Sequence, residues 1–169
     1  MGKAFHIKSG KKMDICWRWT HFSELGIHDL YEILQLRQQV FVLEQQCLYQ
    51  DIDDIDCYAW HLSATQRTGE KTDKLIAYLR VVEPGRKYDE PSIGRVITKE
   101  SYRGLGIGKS LLKRGVQHTR AEFHNADIRI SAQQHLAGFY GDAGFERVGT
   151  PYLEDDIPHV EMILRYVQF

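Results

Sequence analysis

The sequence predicts a single α/β domain built on a mixed sheet. Its length of 169 residues suits one domain. Short apolar runs of strand character alternate with segments in which apolar residues recur at helical spacing, an order typical of a sheet with helices packed on it. The polar, glycine-containing residues 1–12 are expected to form a flexible lead, and residues 13–169 the folded domain.

Three helices and seven strands are predicted along the chain. Apolar residues recur at helical spacing over residues 30–37, with Asp29 as the expected N-cap. A second helix is expected over residues 108–123, and a short third helix over residues 136–143. The predicted strands lie at residues 14–20, 58–65, 75–83, 93–98, 128–132, 145–148 and 159–167.

Three polar stretches are predicted to connect these elements. Residues 66–74 contain Thr68-Gly69 and read as a hairpin connection, whereas residues 152–158 are expected to separate the last two strands. Residues 40–56 are rich in Glu, Gln and Asp and predict a loop or irregular turn. This stretch contains an acidic cluster that is either exposed or attracts a cationic substrate, namely Asp51, Asp53, Asp54 and Asp56.

Composition and charge narrow the class of protein. A content of 43% hydrophobic and 27% charged residues is ordinary for a soluble globular protein, and a formal net charge of −1 gives no basic field for nucleic acid. No apolar run approaches the roughly 20 residues that span a bilayer. The three cysteines form no C-x-x-C pair, so we expect a cytoplasmic, reduced chain without a zinc site. From the net charge and the lack of a long apolar run we expect neither a nucleic-acid nor a membrane partner.

The segment from residue 103 to residue 110, Arg-Gly-Leu-Gly-Ile-Gly-Lys-Ser, is the strongest functional signal. It lies between a predicted strand and a predicted helix. Glycines let backbone N–H groups approach a ligand closely, and a helix start supplies unpaired donors and a partial positive charge. The segment therefore predicts a site for a phosphate or pyrophosphate group.

Two familiar phosphate motifs fail when their spacing is counted on this segment. A Walker A loop requires glycine where Arg103 stands. The dinucleotide fingerprint requires a third glycine where Lys109 or Leu111 stands. An ATPase and a nicotinamide enzyme are both disfavoured.

The spacing that fits is Arg103-x-x-Gly106-x-Gly108, which resembles the pyrophosphate loop of the GCN5-related N-acetyltransferases (GNAT). A second block, residues 133–145, ends in Tyr140-x-x-x-Gly-Phe and resembles the segment after the fifth strand of that family. The chain is identified as a member of this family by resemblance over about residues 14–167. Four further segments are similar to its ElaA-like branch: residues 37–45, 49–53, 93–96 and 157–159. Asp156 stands where that branch would have glycine.

The resemblance implies a fold, an activity and a cofactor site. The fold would be a single GNAT-like domain with a mixed, mostly antiparallel sheet of about six to seven strands flanked by helices. The activity would be transfer of an acetyl group from acetyl-coenzyme A, as co-substrate, to a primary amine by direct attack in a ternary complex without a metal. The implied coenzyme-binding residues are Val96, Ile97, Arg103, Gly104, Leu105, Gly106, Ile107, Gly108, Lys109, Ser110 and Gln133, the last of which could serve the acceptor instead.

The resemblance also implies catalytic residues. Tyr140 occupies the general-acid position, where a phenol can protonate the departing thiolate. The amine must be neutral to attack, and both Glu44 and His159 remain candidates for the base. His61, which follows Trp60 on a predicted strand, is expected to be structural.

Three other readings stay open: a sensor that binds acyl-coenzyme A without turnover, a nucleotide-binding protein, and an interaction protein with a glycine turn. The sensor is the main alternative to the enzyme. The acceptor, a small molecule or a protein amine, is not identified. A homodimer is suggested by resemblance alone.

Overall fold

A seven-stranded mixed sheet forms the centre of the computed structural model, which describes residues 13–67, 69 and 73–167. The expected lead at residues 1–12 lies outside the described residues. The strands are β1 (Ile15–His21), β2 (Ala59–Gln66), β3 (Lys74–Val82), β4 (Ser92–Thr98), β5 (Ile128–Gln133), β6 (Glu146–Glu154) and β7 (Ile157–Leu164). Their order is β1-β2-β3-β4-β5-β7-β6, and every neighbouring pair is antiparallel except β4 and β5. The predicted α/β class and mostly antiparallel sheet are confirmed.

Within the described residues, three α-helices accompany the sheet: α1 (Ile27–Arg37), α2 (Ile107–Glu122) and α3 (Ala137–Gly141). The chain continues from α1 into a π-helical segment, Gln38–Glu44. Short 3₁₀ turns lie at Phe22–Glu24, Asp54–Tyr58, Glu100–Tyr102 and Gln134–Leu136. The third helix is shorter than the predicted 136–143, because Leu136 belongs to a 3₁₀ turn and the helix ends at Gly141.

Helices α1 and α2 cover different faces of the sheet. Leu79 on β3 packs with Leu111 and Leu112 of α2, whereas the adjacent Tyr78 packs with Ile33 of α1. Since successive side chains of a strand point to opposite faces, α1 and α2 lie on opposite sides. A Cβ atom at Gly115 of α2 would lie 2.7 Å from Leu79 Cδ2, so this glycine permits the close approach of α2 to β3.

The sheet opens between its two parallel strands. β4 and β5 share a single residue pair, Ser92 with Arg129, and α2 forms the crossover between them. On the other edge of β4 the register with β3 shifts between Tyr78 and Arg80. Arg95 adopts a left-handed backbone conformation there, with φ of 52°. The extra residue of such a bulge bends β4 and turns its side chains toward the opening.

The predictions for the start of α1 and for the loop 40–56 were wrong. Helix α1 begins at Ile27 with the extended Gly26 as N-cap, and Asp29 lies in the first turn, where its carboxylate accepts a hydrogen bond from Arg18 at 2.6 Å. The predicted loop 40–56 contains ordered helical turns at both ends, because α1 continues through the π-helical segment and residues 54–58 form a 3₁₀ turn.

The last two strands form a tighter hairpin than predicted. β6 and β7 pair from Glu154 with Ile157 onward, so the predicted separator 152–158 lies mostly within the strands. The turn is Asp155-Asp156, with φ of 50° and 61°. Two consecutive positive φ values match a tight hairpin turn, and aspartate tolerates this conformation. Asp156, where the resemblance expected glycine, therefore adopts a glycine-like backbone.

Candidate active site

The loop from β4 to α2 presents a row of unpaired backbone donors. No backbone hydrogen bond of the described residues uses the N–H groups of residues 104–109, and the next N–H, of Ser110, donates to the Gly106 carbonyl at 3.1 Å. Gly104 and Gly106 have φ of 76° and 77°, which a side chain would strain. Consecutive free N–H groups at the start of a long helix form an anion-binding cradle.

The space around this loop fits a phosphate ligand. A Cβ atom built at Gly104 or Gly106 meets nothing within 4 Å, so the cradle is open. At Gly108 a Cβ atom would lie 3.3 Å from Thr98 Oγ1 and 3.9 Å from the Phe139 ring. The first two glycines thus serve the backbone conformation, and the third lets α2 begin close to β4 and α3.

Two cations flank the cradle. Arg103 donates from Nε to the Thr98 carbonyl at 3.0 Å, and its Nη1 contacts the carboxylate of Glu44. Lys109 Nζ lies 3.1 Å from Asp142 Oδ2, an exposed pair that links α2 to the end of α3. Both cations already have a protein carboxylate as partner.

The two strand residues proposed for the coenzyme arm differ in their placement. Val96 lines the pocket between the splayed strands. Ile97 is 2% exposed and packs with Tyr78 in the core under α1. The side chain of Ile97 is therefore closed to a ligand, whereas β4 beyond Ser92 has no pairing with β5 and leaves backbone groups free at the opening.

Tyr140 lies on α3 at the inner end of the same opening. Its ring packs edge-on against Phe139 and Phe145, with centroids 5.1 and 6.0 Å away, and the residue is only 8% exposed. Burial raises the pKa of Tyr140 to about 12. The described residues give its hydroxyl no hydrogen-bond partner, and the side chain lines the pocket. The phenol is therefore protonated and available to a ligand.

A pocket of about 300 Å³ continues from this opening along the sheet. One wall comes from β5 and β7, where Gln133 and His159 are directly paired across the strands. Gln133 also contacts Gln45 at 3.5 Å, which joins this wall to the segment that follows the π-helical turns. The remaining wall includes Tyr49, Tyr88, Arg95, Leu136 and Glu154.

The two candidate bases lie in different places. His159 lines the pocket with Tyr140, and its Nδ1 lies 2.8 Å from the carbonyl oxygen of Ile157. A carbonyl only accepts, so Nδ1 carries the proton and Nε2 holds the lone pair. Glu44 instead contacts Arg103 at the phosphate cradle and is not part of the pocket lining.

A largely buried ion network at the pocket wall was missed from the sequence. It joins three arginines and three aspartates: Arg37, Arg80, Arg95, Asp51, Asp53 and Asp56. Arg37, fully buried, donates to Asp51 at 2.8 Å and to Asp56 at 2.7 Å. Arg80, 4% exposed, also donates to Asp56 at 2.7 Å. The signal was present, since Arg80 interrupts an apolar strand and Arg37 falls on the apolar face of α1.

This network corrects both readings for three of the four carboxylates in the acidic cluster, whereas Asp54 is exposed. Asp51 and Asp56 are buried rather than exposed, and Asp53 is paired with Arg80 and Arg95. Burial alone would raise the pKa of Asp53, but the hydrogen bond and charge of Arg80 hold that pKa below its ordinary value. The three carboxylates are neutralised by the protein's own arginines and are not free to attract a cationic substrate.

His61 belongs to the same buried region. Its Nδ1 lies 2.7 Å from the Tyr78 hydroxyl and its Nε2 lies 3.3 Å from the Asp56 carbonyl. Burial lowers the pKa of His61 to about 4, so the imidazole is neutral and accepts from Tyr78. Its 1% exposure and full set of partners indicate the structural role expected from the sequence.

A second polar group on the pocket wall was also missed. Ser131 of β5 lies 2.5 Å from the Tyr152 hydroxyl and donates to Glu154 Oε2 at 2.8 Å. The Tyr152 ring stacks on His159 with centroids 6.1 Å apart. Hydroxyl, carboxylate and imidazole groups are thus gathered on β5, β6 and β7.

Within the described residues, no group of three or more His, Cys, Asp or Glu side chains is placed to hold a metal ion. In the same residues, no helix is long and apolar enough to cross a membrane.

Comparisons with known proteins agree with this geometry. The acetyltransferase (GNAT) domain profile matches residues 29–166. The chain therefore belongs to the GNAT family of acyl-coenzyme A-dependent acyltransferases, in its ElaA-like branch. A UPF0039 protein from Synechocystis is 43% identical over 90% of this chain and 97% of its own, and the protein ElaA of Escherichia coli is 38% identical over the same shares. An acyl-CoA N-acyltransferase from Pseudomonas aeruginosa superimposes with a TM-score of 0.81 at 40% identity, covering 89% of this chain and 99% of that one.

Proposed function

We propose that this protein is an N-acetyltransferase that transfers the acetyl group of acetyl-coenzyme A to a primary amine by direct attack in a ternary complex. The observation that carries the proposal is the position of Tyr140, a largely buried residue that lines a pocket at the opening between β4 and β5. Family membership supports an acyl-coenzyme A donor. The acetyl group and the amine acceptor are inferences of this proposal.

The phosphate cradle would receive the pyrophosphate of the donor. The six free N–H groups of residues 104–109 would donate to its oxygens, and Arg103 would add a charge-assisted hydrogen bond once it leaves Glu44. Lys109 and the Ser110 hydroxyl flank the same helix start. The pantetheine arm would then run along the unpaired edge of β4 past Val96 and Ile97 toward Tyr140.

Tyr140 would act as the general acid. Attack of the neutral amine on the thioester carbonyl forms the C–N bond, and the C–S bond breaks with its electron pair on sulfur. The phenol gives its proton to that thiolate and recovers one from the nitrogen, which must lose a proton to become an amide. Because burial raises the pKa of Tyr140 to about 12, the phenol keeps its proton at neutral pH and can donate it when the thiolate forms.

His159 is the better supported base of the two candidates. Its hydrogen bond to the Ile157 carbonyl leaves Nε2 as the basic nitrogen, and the side chain lines the same pocket as Tyr140. The amine reaches the pocket as an ammonium ion, and Nε2 would take the proton that must leave before attack. Glu44, paired with Arg103, would instead act on donor binding.

The surroundings of Cys47 favour direct attack over a covalent acyl-enzyme. Its thiol lines the pocket, but it is buried and contacts the Gln45 carbonyl at 3.7 Å. Burial and the nearby charge of Asp155 raise the pKa of Cys47, which disfavours the nucleophilic thiolate. Cys16, Cys47 and Cys57 are all free, which supports a cytoplasmic location.

Coenzyme A release from acetyl-coenzyme A across a panel of primary amines tests the proposed function. We expect release with at least one amine, and a lower rate of release in a His159→Gln variant. Calorimetric titration with acetyl-coenzyme A in parallel separates the alternatives. Binding of acetyl-coenzyme A without release for any amine would overturn the enzyme in favour of the sensor, and absence of binding would overturn both.

A further inference from the structure

The charges on the wall of the acceptor pocket are not equally available to a substrate. Asp53, Arg80 and Arg95 line the pocket, but they are bound to one another or to the buried aspartates beneath. Glu154 also lines the pocket, at the end of β6, and belongs to no such network. Its single ionic contact is Lys87 Nζ at 3.9 Å from Oε1, within the described residues.

The carboxylate of Glu154 is fixed in place by neutral donors. Ser131 donates to Oε2 at 2.8 Å, and the Tyr152 hydroxyl lies 3.5 Å from the same oxygen. Partial burial would raise the pKa of Glu154, but the Ser131 hydrogen bond and the charge of Lys87 hold that pKa below its ordinary value. A charged carboxylate held at Oε2 by a hydroxyl group leaves its other oxygen, Oε1, facing the partly exposed Lys87.

The position of this carboxylate relates it to the reacting end of the pocket. Tyr152 pairs with His159 across β6 and β7, and the two rings stack. Glu154 therefore lies one aromatic ring away from the proposed base. Asp155, at the exposed turn of the same hairpin, adds a second negative charge to this wall.

We propose that Glu154 determines acceptor specificity by binding a second, cationic group of the acceptor, so that the enzyme prefers diamines and other amines with a distant positive charge. The inference rests on the proposed function, because it assigns the far end of the same pocket. An amine that carries a carboxylate would meet Glu154 with like charge, and a neutral amine would leave it without a substrate partner.

The ion pair between Lys87 and Glu154 also supports the inference. Its ammonium group already lies against Glu154, so the site accepts an alkylammonium ion of this kind. The side chain of the lysine is 37% exposed and the contact is long, so the pair is weak and can be displaced. Lys87 is thus an internal competitor of a cationic acceptor.

Three acceptors with the same five-carbon chain test this assignment: 1,5-diaminopentane, pentylamine and 5-aminopentanoate, whose second groups are cationic, neutral and anionic. We expect the highest kcat/KM for the diamine. In Glu154→Gln, which keeps the hydrogen bonds of the side chain, KM for the diamine should rise about ten-fold with little change in kcat, since one charge-assisted contact is lost. Pentylamine should be unaffected. Glu146→Gln, at the exposed start of β6, is the matched control.

The Lys87→Gln variant distinguishes competition from a structural role. We expect it to lower KM for the diamine, whereas damage to the pocket would raise KM for all three acceptors. Calorimetric binding of the diamine in the presence of coenzyme A gives a readout independent of turnover, and it should weaken in Glu154→Gln.

Preference for 5-aminopentanoate or pentylamine, or equal effects of Glu154→Gln on all three, would overturn the assignment of Glu154 and leave acyl transfer standing. Absence of coenzyme A release with every amine overturns the proposed function. In that event, diamine binding that depends on Glu154 would still support the cation site, and unchanged binding would overturn it.

Discussion

The carboxylate of Glu44 contacts the guanidinium of Arg103, and this ion pair joins the π-helical segment after α1 to the loop that opens α2. Arg103 is also held by the Thr98 carbonyl at the end of β4. A pyrophosphate group in the cradle would compete with Glu44 for the same guanidinium. Donor binding and the conformation of residues 38–44 are therefore expected to be coupled.

Removing the charge of Glu44 should strengthen donor binding. In Glu44→Gln we expect the Kd for coenzyme A to fall about two- to five-fold, because an exposed ion pair worth up to about 1 kcal/mol no longer competes. Calorimetric titration measures the change, with Glu32→Gln on the exposed face of α1 as control. Weaker binding in Glu44→Gln would contradict this account and show that the carboxylate orients Arg103 for the phosphate.

Packing of α2 on β3 should be sensitive to a single methyl group. Gly115→Ala would place Cβ 2.7 Å from Leu79 Cδ2 in the core, and we expect a loss of about 1–3 kcal/mol in the free energy of unfolding. Gly138→Ala is the control, because its Cβ meets nothing within 4 Å. Urea denaturation measures both, and equal stabilities would contradict the packing described for α2.

Stability should fall on acidification through the titration of His61. Its pKa is about 4 in the folded protein and near 6.5 in an unfolded chain, so the unfolded state binds more protons between these values. The free energy of unfolding should therefore decrease as pH falls through this window, by up to about 3 kcal/mol from this group. In His61→Gln the slope across the window should be shallower. The control is His28→Gln at an exposed position of α1, and a shared slope in all three proteins would contradict the prediction.

Much of the fold followed from sequence periodicity, and the failures have physical causes. β2, β3, β4 and β5 lie within one or two residues of their predictions because apolar runs define buried strands. The start of α1 was placed at Asp29 by its side chain, yet Gly26 has the extended backbone of an N-cap. The β6–β7 hairpin was missed because Asp155-Asp156 takes a conformation more usual for glycine.

Some parts of the candidate site could be located from the sequence, and others could not. The loop 103–110 and the block containing Tyr140 are continuous in sequence and could be located by spacing. The Arg37–Asp56 and Arg80–Asp53 pairs join residues 19 and 27 positions apart, and a charge pattern alone reads as exposed. Ser131 and Glu154 meet only because β5 and β6 both flank β7.

The pH dependence of turnover should reflect the raised pKa of Tyr140. At saturating substrates, kcat should rise from acid pH as the amine loses its proton, and should show no alkaline decline below about pH 10 because the phenol titrates at about 12. A decline of kcat between neutral pH and about pH 9 would assign the acid to another group.

The Tyr140→Phe variant tests the central claim most directly, by measuring acetyl-coenzyme A affinity and the rate of coenzyme A release in the same preparation. The hydroxyl has no protein partner among the described residues, so the variant should fold normally. Tyr31→Phe, at an exposed position of α1, is the control. We predict affinity unchanged within about two-fold and kcat reduced at least about 100-fold. Turnover within about three-fold of the parent protein would contradict the role of Tyr140 as general acid.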